Sequence, residues 1–252
     1  MIPRRPLIVI PARMASTRLP GKPLADIAGQ PMIVHVWRRA VAADIGRVVV
    51  AAAEPEIADV IQAAGGEAVL TRPDHPSGSD RVMEAAGLVD PDGEHDVIVN
   101  LQGDLPTLPP GLLAEVMLPF SEPTGDGVDI ATLVAEITDP AEAADENVVK
   151  VAVAFGDDRP VAQACWFSRA PIPAREGPLW HHIGIYAWQR PALARFVTLP
   201  PTLLEVREGL EQLRALEAGM RIDAVWVGAV PPGVDTPADL EVAKQILNTQ
   251  NE

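Results

Sequence analysis

Short apolar runs alternate with longer segments whose apolar residues recur at helical spacing, and four such pairs follow one another through the first half of the chain. Leu7–Ile10 precedes Met32–Ala43, Arg47–Ala53 precedes Glu56–Ala64, Glu67–Thr71 precedes Ser79–Val89, and Val97–Leu101 precedes Gly111–Pro119. A strand followed by a helix, repeated in this way, predicts a parallel sheet flanked by helices. Runs such as Val48-Val49-Val50-Ala51 and Val97-Ile98-Val99 are apolar at consecutive positions, the pattern of strands covered on both faces. Glu54-Pro55 closes the second strand and Gly65-Gly66 the second helix.

After Gly127 the rhythm changes. Val128–Ile137, Asn147–Phe155 and Val161–Phe167 read as strands without equally long helices between them, which predicts an antiparallel excursion in a mixed sheet. Ile183–Trp188 is a further strand, Glu208–Ala218 a helix with Leu210, Leu213 and Leu216 on one side, Arg221–Val227 a strand and Ala238–Leu247 a closing helix. Asn248–Glu252 is a polar tail expected to fray. No linker, repeat or low-complexity tract divides the 252 residues. The expectation is one α/β domain over residues 1–252, with a mostly parallel mixed sheet and residues 128–180 as the antiparallel excursion.

Composition narrows the function classes. A net charge of -15 argues against general affinity for nucleic acid, which relies on many phosphate contacts from a basic surface. The single cysteine, Cys165, excludes an internal disulfide and a thiolate metal site, so the default is a reduced, cytoplasmic protein. Leu7–Ile10 is far too short for a signal-peptide core, and no run of about 18 apolar residues occurs, so no membrane association is expected.

Charge is unevenly placed. Arg4, Arg5, Arg13, Arg18 and Lys22 all precede the first acid, Asp26, and three of them lie in the loop Pro11–Leu24 behind the first strand. In an open α/β sheet ligands bind outside the carboxyl ends of the strands, which is where this loop lies. Arg13, Arg18 and Lys22 can neutralise phosphate or carboxylate oxygens, Ser16 and Thr17 offer hydroxyls, and Gly21 permits close backbone approach. A P-loop is excluded, because Ser16 and Pro23 stand where it needs glycine and a hydroxyl residue. A second constellation, Val99-Asn100-Leu101-Gln102-Gly103-Asp104, ends another apolar strand, and Asp104 can offer oxygen to a hard cation. A third, Gly233–Asp239, adds Asp235 and Asp239 ahead of the last helix, where Asp235 or Thr236 can also cap the helix, since one oxygen can cap while another ligates.

Taken in order, Pro11–Leu24, Asp74–Arg81, Asn100–Pro106, Phe167–Pro173, His182–Tyr186, Leu210–Arg214 and Gly233–Asp239 resemble the 3-deoxy-manno-octulosonate (Kdo) cytidylyltransferases over almost the full chain. The stretch Pro-Ala-Arg-x-x-Ser-Thr-Arg-Leu-Pro-Gly-Lys-Pro is highly specific for them. The resemblance implies a three-layer, Rossmann-like nucleotidyltransferase fold and transfer of CMP from CTP to the anomeric hydroxyl of Kdo, with Mg²⁺ required and pyrophosphate released. It also implies a cytoplasmic homodimer serving lipopolysaccharide biosynthesis. By similarity Arg13, Ser16, Arg18 and Lys22 would hold the triphosphate, with Arg13 and Lys22 catalytic alongside Asp104 and Asp235, which match the magnesium ligands. Arg81 and Gln102 would serve the nucleotide and sugar pockets, and Arg169, His182, Tyr186, Glu211 and Gln212 would meet Kdo. His182 and Tyr186 alternate to one strand face, which favours a shared wall.

Three departures stand out: Leu105 where an acid is common, His181 where an arginine often precedes the histidine, and Ala52-Ala53 in place of Thr-Asp. No general base is evident, and an electropositive or metal-bound site that lowers the hydroxyl pKa is the preferred alternative. Two rivals remain: a cytidylyltransferase for another acidic sugar, such as an amino-substituted Kdo or a sialic acid, and a noncatalytic nucleotide-binding module.

Overall fold

The computed structural model describes residues 4–16, 18–121, 127–156 and 159–250. Thr17 and the last two residues of the polar tail lie outside them. The chain resolves into two compact units, Met1–Ala114 with Pro231–Glu252, and Glu115–Val230.

The first unit realises the alternation of the first half. Its elements are β1 (Pro6–Ala12), the short hairpin strands β2 (Asp26–Ile27) and β3 (Gln30–Pro31), α1 (Met32–Ala42), β4 (Arg47–Ala52), α2 (Pro55–Ala63), β5 (Glu67–Leu70), α3 (Gly78–Val89), β6 (Val97–Asn100) and α4 (Gly111–Glu115). Its four long strands lie in the order β5-β4-β1-β6, all parallel, with Ile8 beside Val48 on one side and Val99 on the other. Leu7, Ile8, Val9, Ile10, Val49 and Val50 are fully buried, as consecutive apolar positions require. The closing helix, Pro237–Gln250, runs on through residues expected to fray. Its Ala243 and Leu247 join Ile27, Met32 and Val234 in one apolar cluster that fastens the helix to the β2–β3 hairpin.

The second unit departs further from expectation. Gly111–Pro119 is two short helices, α4 and α5 (Leu118–Ser121), because Pro119 has no N–H to donate to the Glu115 carbonyl and is accepted only in the first turn of a new helix. There follow β7 (Ile130–Glu136), α6 (Pro140–Ala144), β8 (Lys150–Val153), β9 (Val161–Ser168), β10 (Trp180–Gln189), α7 (Arg190–Phe196), α8 (Leu203–Glu208), α9 (Gln212–Glu217) and β11 (Ile222–Val227), which leaves the closing helix as α10. Here the strands lie in the order β10-β7-β11-β9-β8, and the single bridge His181↔Lys150 also pairs β10 with β8. Only β7 and β11 run parallel; the other pairings are antiparallel. A mostly parallel sheet therefore describes the first unit alone. The antiparallel character also extends past residue 180 to Gln189, because the links between these strands are too short for parallel crossovers.

The expected helix Glu208–Ala218 is likewise divided. Gly209 takes a left-handed conformation (φ 64°) that ends α8, a backbone state that favours glycine, so Glu211 and Gln212 stand at the start of α9 rather than inside a helix. Trp188 and Phe196 pack with ring centroids 4.8 Å apart in this unit's core.

Candidate active site

A cavity of about 400 Å³ opens at the carboxyl ends of β1 and β6, lined by Arg13, Ser16, Arg18, Lys22, Gln102, Asp104 and Asp235 among others. Every one of those seven residues was singled out from the sequence, and all belong to the first unit. The fold brings them together through backbone ties. Val234 N–H donates to the Asp104 carbonyl at 2.9 Å, joining loops 130 residues apart. A Cβ at Gly103 would lie 3.0 Å from the Pro11 carbonyl oxygen, so the two strand-end loops approach this closely only because that residue lacks a side chain.

The charged groups form one network. Lys22 Nζ lies 2.9 Å from Asp104 Oδ2 and 2.8 Å from Asp235 Oδ1, and Arg18 Nη2 lies 2.9 Å from Asp235 Oδ2. Burial works to lower the Lys22 pKa, but the charge of Asp104 and the hydrogen bonds to both carboxylates outweigh it, and the ammonium is held above its ordinary value. Exposure ranks these contacts: the Lys22 side chain is 13% exposed, that of Arg18 61% and that of Asp235 50%. A pair as open as Arg18–Asp235 is worth roughly 0.2–1 kcal/mol, so Arg18 is the cation most easily transferred to an incoming anion.

Asp235 is available for this network because its neighbours do the capping. Asp239 accepts from the N–H groups of Asp235 (3.0 Å) and Thr236 (2.8 Å), and Thr236 Oγ1 accepts in turn from Asp239 N–H at 3.3 Å. This reciprocal arrangement starts α10 with Pro237 in its first turn, so the capping alternative falls to Thr236 and Asp239 and not to the Asp235 side chain. Leu105, one of the departures, is buried, and its Cδ2 would lie 3.8 Å from a Cβ placed on Gly233.

Lys22 marks a point that one cation can share between both carboxylates. Two carboxylates plus ligand phosphate oxygens and water form the donor set that Mg²⁺ takes, and the oxygen chemistry fits. No group of three or more histidine, cysteine or acidic side chains that could hold a metal occurs among the described residues.

Arg81 is placed differently. It is 2% exposed, its Nη1 donates to Thr71 Oγ1 (2.6 Å) and the Arg72 carbonyl (3.0 Å), and it is not among the cavity-lining residues above. Burial lowers its pKa, nearby Glu54 opposes that shift, and Arg13 adds to it. Gln102 donates to Asn100 Oδ1 at 3.3 Å at the end of β6.

The remaining residues implied for the sugar lie in the second unit. His182 and Tyr186 stand side by side on β10, ring centroids 5.4 Å apart across a bulge between Ile183 and Tyr186. His182 Nε2 lies 3.0 Å from the hydroxyl of buried Thr132, and burial pushes its pKa down to about 3, so the ring is neutral. Burial, with Glu211 adding to it, pushes the Tyr186 phenol up. Gln212 is buried, and Glu211 lies 3.8 Å from Arg214. Arg169 donates to the carbonyls of Glu208 (2.9 Å), Glu146 (2.9 Å) and Gly209 (3.3 Å), tying the end of α8 to the turn at Glu146. His181, another departure, pairs through Nδ1 with Glu142 at 2.5 Å.

Several participants had no sequence signal. Lys150 is fully buried and donates to the carbonyls of Asp145, Val148 and Arg169, while Thr132 holds His182. Both depend on partners brought together by the sheet, which no spacing rule reveals.

Comparison with known proteins places the chain in a family. The family model described as Cytidylyltransferase matches residues 7–222. A 3-deoxy-manno-octulosonate cytidylyltransferase of Methylobacterium radiotolerans is 63% identical over 243 residues, covering 96% of each chain. That of Parvibaculum lavamentivorans is 63% identical over 242 residues, covering 96% of this chain and 92% of its own. The solved structure of a CMP:2-keto-3-deoxy-manno-octonic acid synthetase complexed with CTP superposes with a TM-score of 0.88 at 41% identity, covering 98% of this chain and 99% of that one. A cytidylyltransferase from Leptospira borgpetersenii, at 18% identity and a TM-score of 0.61 over 98% of this chain and 87% of its own, shares the fold. The chain belongs to the 3-deoxy-manno-octulosonate cytidylyltransferase family.

Proposed function

We propose that this protein transfers CMP from CTP to the anomeric hydroxyl of Kdo, releasing pyrophosphate. The observation that carries the reading is the cavity at the ends of β1 and β6, where Arg13, Arg18 and Lys22 converge with Asp104 and Asp235.

The triphosphate enters as a polyanion, and Arg13, Arg18 and Lys22 bind its oxygens while Ser16 offers a hydroxyl. As Arg18 and Lys22 turn to phosphate, the carboxylates of Asp104 and Asp235 become available to a divalent cation. Mg²⁺ held there would supply charge neutralisation at the phosphates and lower the pKa of an oxygen ligand. The Kdo hydroxyl attacks the α-phosphorus, its proton passes to solvent or substrate oxygen, and the bond to the β-phosphate oxygen breaks. Arg13 and Lys22 stabilise the charge that builds on the non-bridging and leaving oxygens, a positioning and electrostatic role with no covalent intermediate.

For the sugar acid the reading assigns neutral His182, Tyr186, Glu211 and Gln212 to the hydroxyls, Gln102 to groups near the reacting carbon and Arg169 to the carboxylate. Arg81 acts on the nucleotide side by holding the Thr71–Pro73 segment. A cytoplasmic setting, a homodimer with residues 128–180 supplying the contact and a role in lipopolysaccharide biosynthesis complete the proposal. No helix among the described residues is long and apolar enough to cross a membrane.

Pyrophosphate release from CTP, measured with Kdo, 8-amino-Kdo and a sialic acid, with and without Mg²⁺, tests the reading. Kdo with Mg²⁺ is expected to give the highest kcat/KM; preference for a sialic acid would sink the assignment, and binding without turnover would favour a noncatalytic module. Light scattering that shows only a 26.8 kDa species would remove the dimer.

A further inference from the structure

Glu54 is the residue at which α2 begins, yet its side chain makes no capping bond to that helix. A polar residue in this position ordinarily turns its oxygen onto the first-turn N–H groups. Here the half-buried carboxylate reaches instead to the loop behind β1 and accepts from Met14 N–H at 3.0 Å. The Met14 carbonyl accepts from Gly21 N–H at 3.4 Å, at the far side of the same loop. Both backbone polar groups of the residue following Arg13 are therefore held.

The tie extends a ladder. β1 and β4 pair in parallel as far as Ala12↔Ala52, and Ala53 N–H then donates to the Ala12 carbonyl at 2.9 Å. One step further the backbones part and the Glu54 side chain bridges the gap. Glu54 is also the acid that most favours the charge of buried Arg81, a charge that neighbouring Arg13 opposes. The sequence Ala52-Ala53 lacks an acid where the resemblance leads one to expect it, and Glu54 follows directly.

We propose that Glu54 is a positioning residue for the phosphate-binding loop: by fixing Met14 N–H it sets the backbone from which Arg13 addresses the triphosphate. The same carboxylate supports the charge of buried Arg81 beside the loop. This rests on the reading of the cavity as the CTP site, and it adds a residue that is not among those lining the cavity.

The test compares wild type with Glu54→Ala, Glu54→Gln and Glu54→Asp by calorimetric titration of CTP and of inorganic pyrophosphate, and by steady-state kinetics. Loss of a hydrogen bond to a charged group is expected to weaken CTP and pyrophosphate binding and raise KM for CTP about tenfold, with KM for Kdo within about twofold. Glu54→Gln keeps an acceptor at the same reach and is expected to stay within about threefold of wild type, whereas Glu54→Asp keeps the charge but not the reach and is expected to resemble Glu54→Ala. If Glu54→Ala does not fold, Glu54→Asp against Glu54→Gln carries the comparison. Unchanged CTP affinity in a folded Ala or Asp variant, or equal rises in KM for both substrates, would overturn the proposal. A wild type that binds CTP but releases no pyrophosphate with Kdo would instead overturn the assigned reaction and leave the comparison of binding intact.

Discussion

The cleft of the first unit and the polar cluster of the second are built on opposite electrostatic terms. In the cleft, Lys22, Arg18, Asp104 and Asp235 remain partly solvated and pair with one another. In the second unit His182 is neutral, Tyr186 is held protonated, and the cations Lys150 and Arg169 are committed to backbone carbonyls. Partly solvated pairs exchange one charged partner for another at small cost, whereas a buried neutral network is costly to disturb and holds one shape. Under the proposed function the first arrangement would receive the triphosphate and its cation, and the second would discriminate among hydroxyls.

Removing a charge from the cleft should have the largest effect. Lys22→Ala is expected to lower kcat about 10²–10³-fold, the scale of losing one transition-state donor, while the melting temperature changes little. A similar loss from a substitution in the second unit that leaves the fold intact would break the contrast. In the second unit the first consequence should be stability. Thr132→Val leaves His182 Nε2 without its buried partner, and denaturant unfolding is expected to show a loss of about 1–3 kcal/mol.

The same histidine gives a pH signature. Its folded pKa of about 3 lies below the unfolded value near 6.5, so below pH 6.5 the unfolded chain binds a proton that the folded chain refuses. Stability is expected to fall as pH drops from 6.5 toward 3, with about one proton taken up on unfolding at pH 5. His182→Asn should flatten that slope. His35, also held low by burial, contributes with the same sign in both proteins, and only the difference between them reports His182. An identical slope in the two would show that His182 is not held neutral.

The smallest effect concerns the support of Asp235. Thr236→Ala removes one side of the reciprocal cap at α10 and is expected to cost about 1 kcal/mol in thermal unfolding. Because Asp235 stands on the same turn, the Mg²⁺ concentration for half-maximal activity should rise as well. A stability loss with no change in metal requirement would mean that the cap serves the helix alone.

What the sequence revealed follows the same division. The parallel half was legible because each strand there is apolar at consecutive positions and each helix is punctuated, and because cleft residues at strand ends have a place given by topology. In the second unit Gly209 and Pro119 interrupted what periodicity joined, since one left-handed residue or one missing N–H outweighs several favourable apolar spacings. Arg81 and Arg169 read as ligand-facing cations, yet both donate to backbone carbonyls that only the folded chain brings near them. Glu54 was visible only as punctuation, because its partner lies forty residues away.

The proposed function has CTP reacting in the cleft of the first unit, with Asp104 holding the cation. The most direct measurement is pyrophosphate release from CTP and Kdo by Asp104→Asn beside wild type, over a range of Mg²⁺ concentrations. Wild-type release is expected to require Kdo and to stop on chelation, and release by the variant to fall at least about a hundredfold without recovery at high Mg²⁺. Turnover in the variant equal to wild type would contradict it.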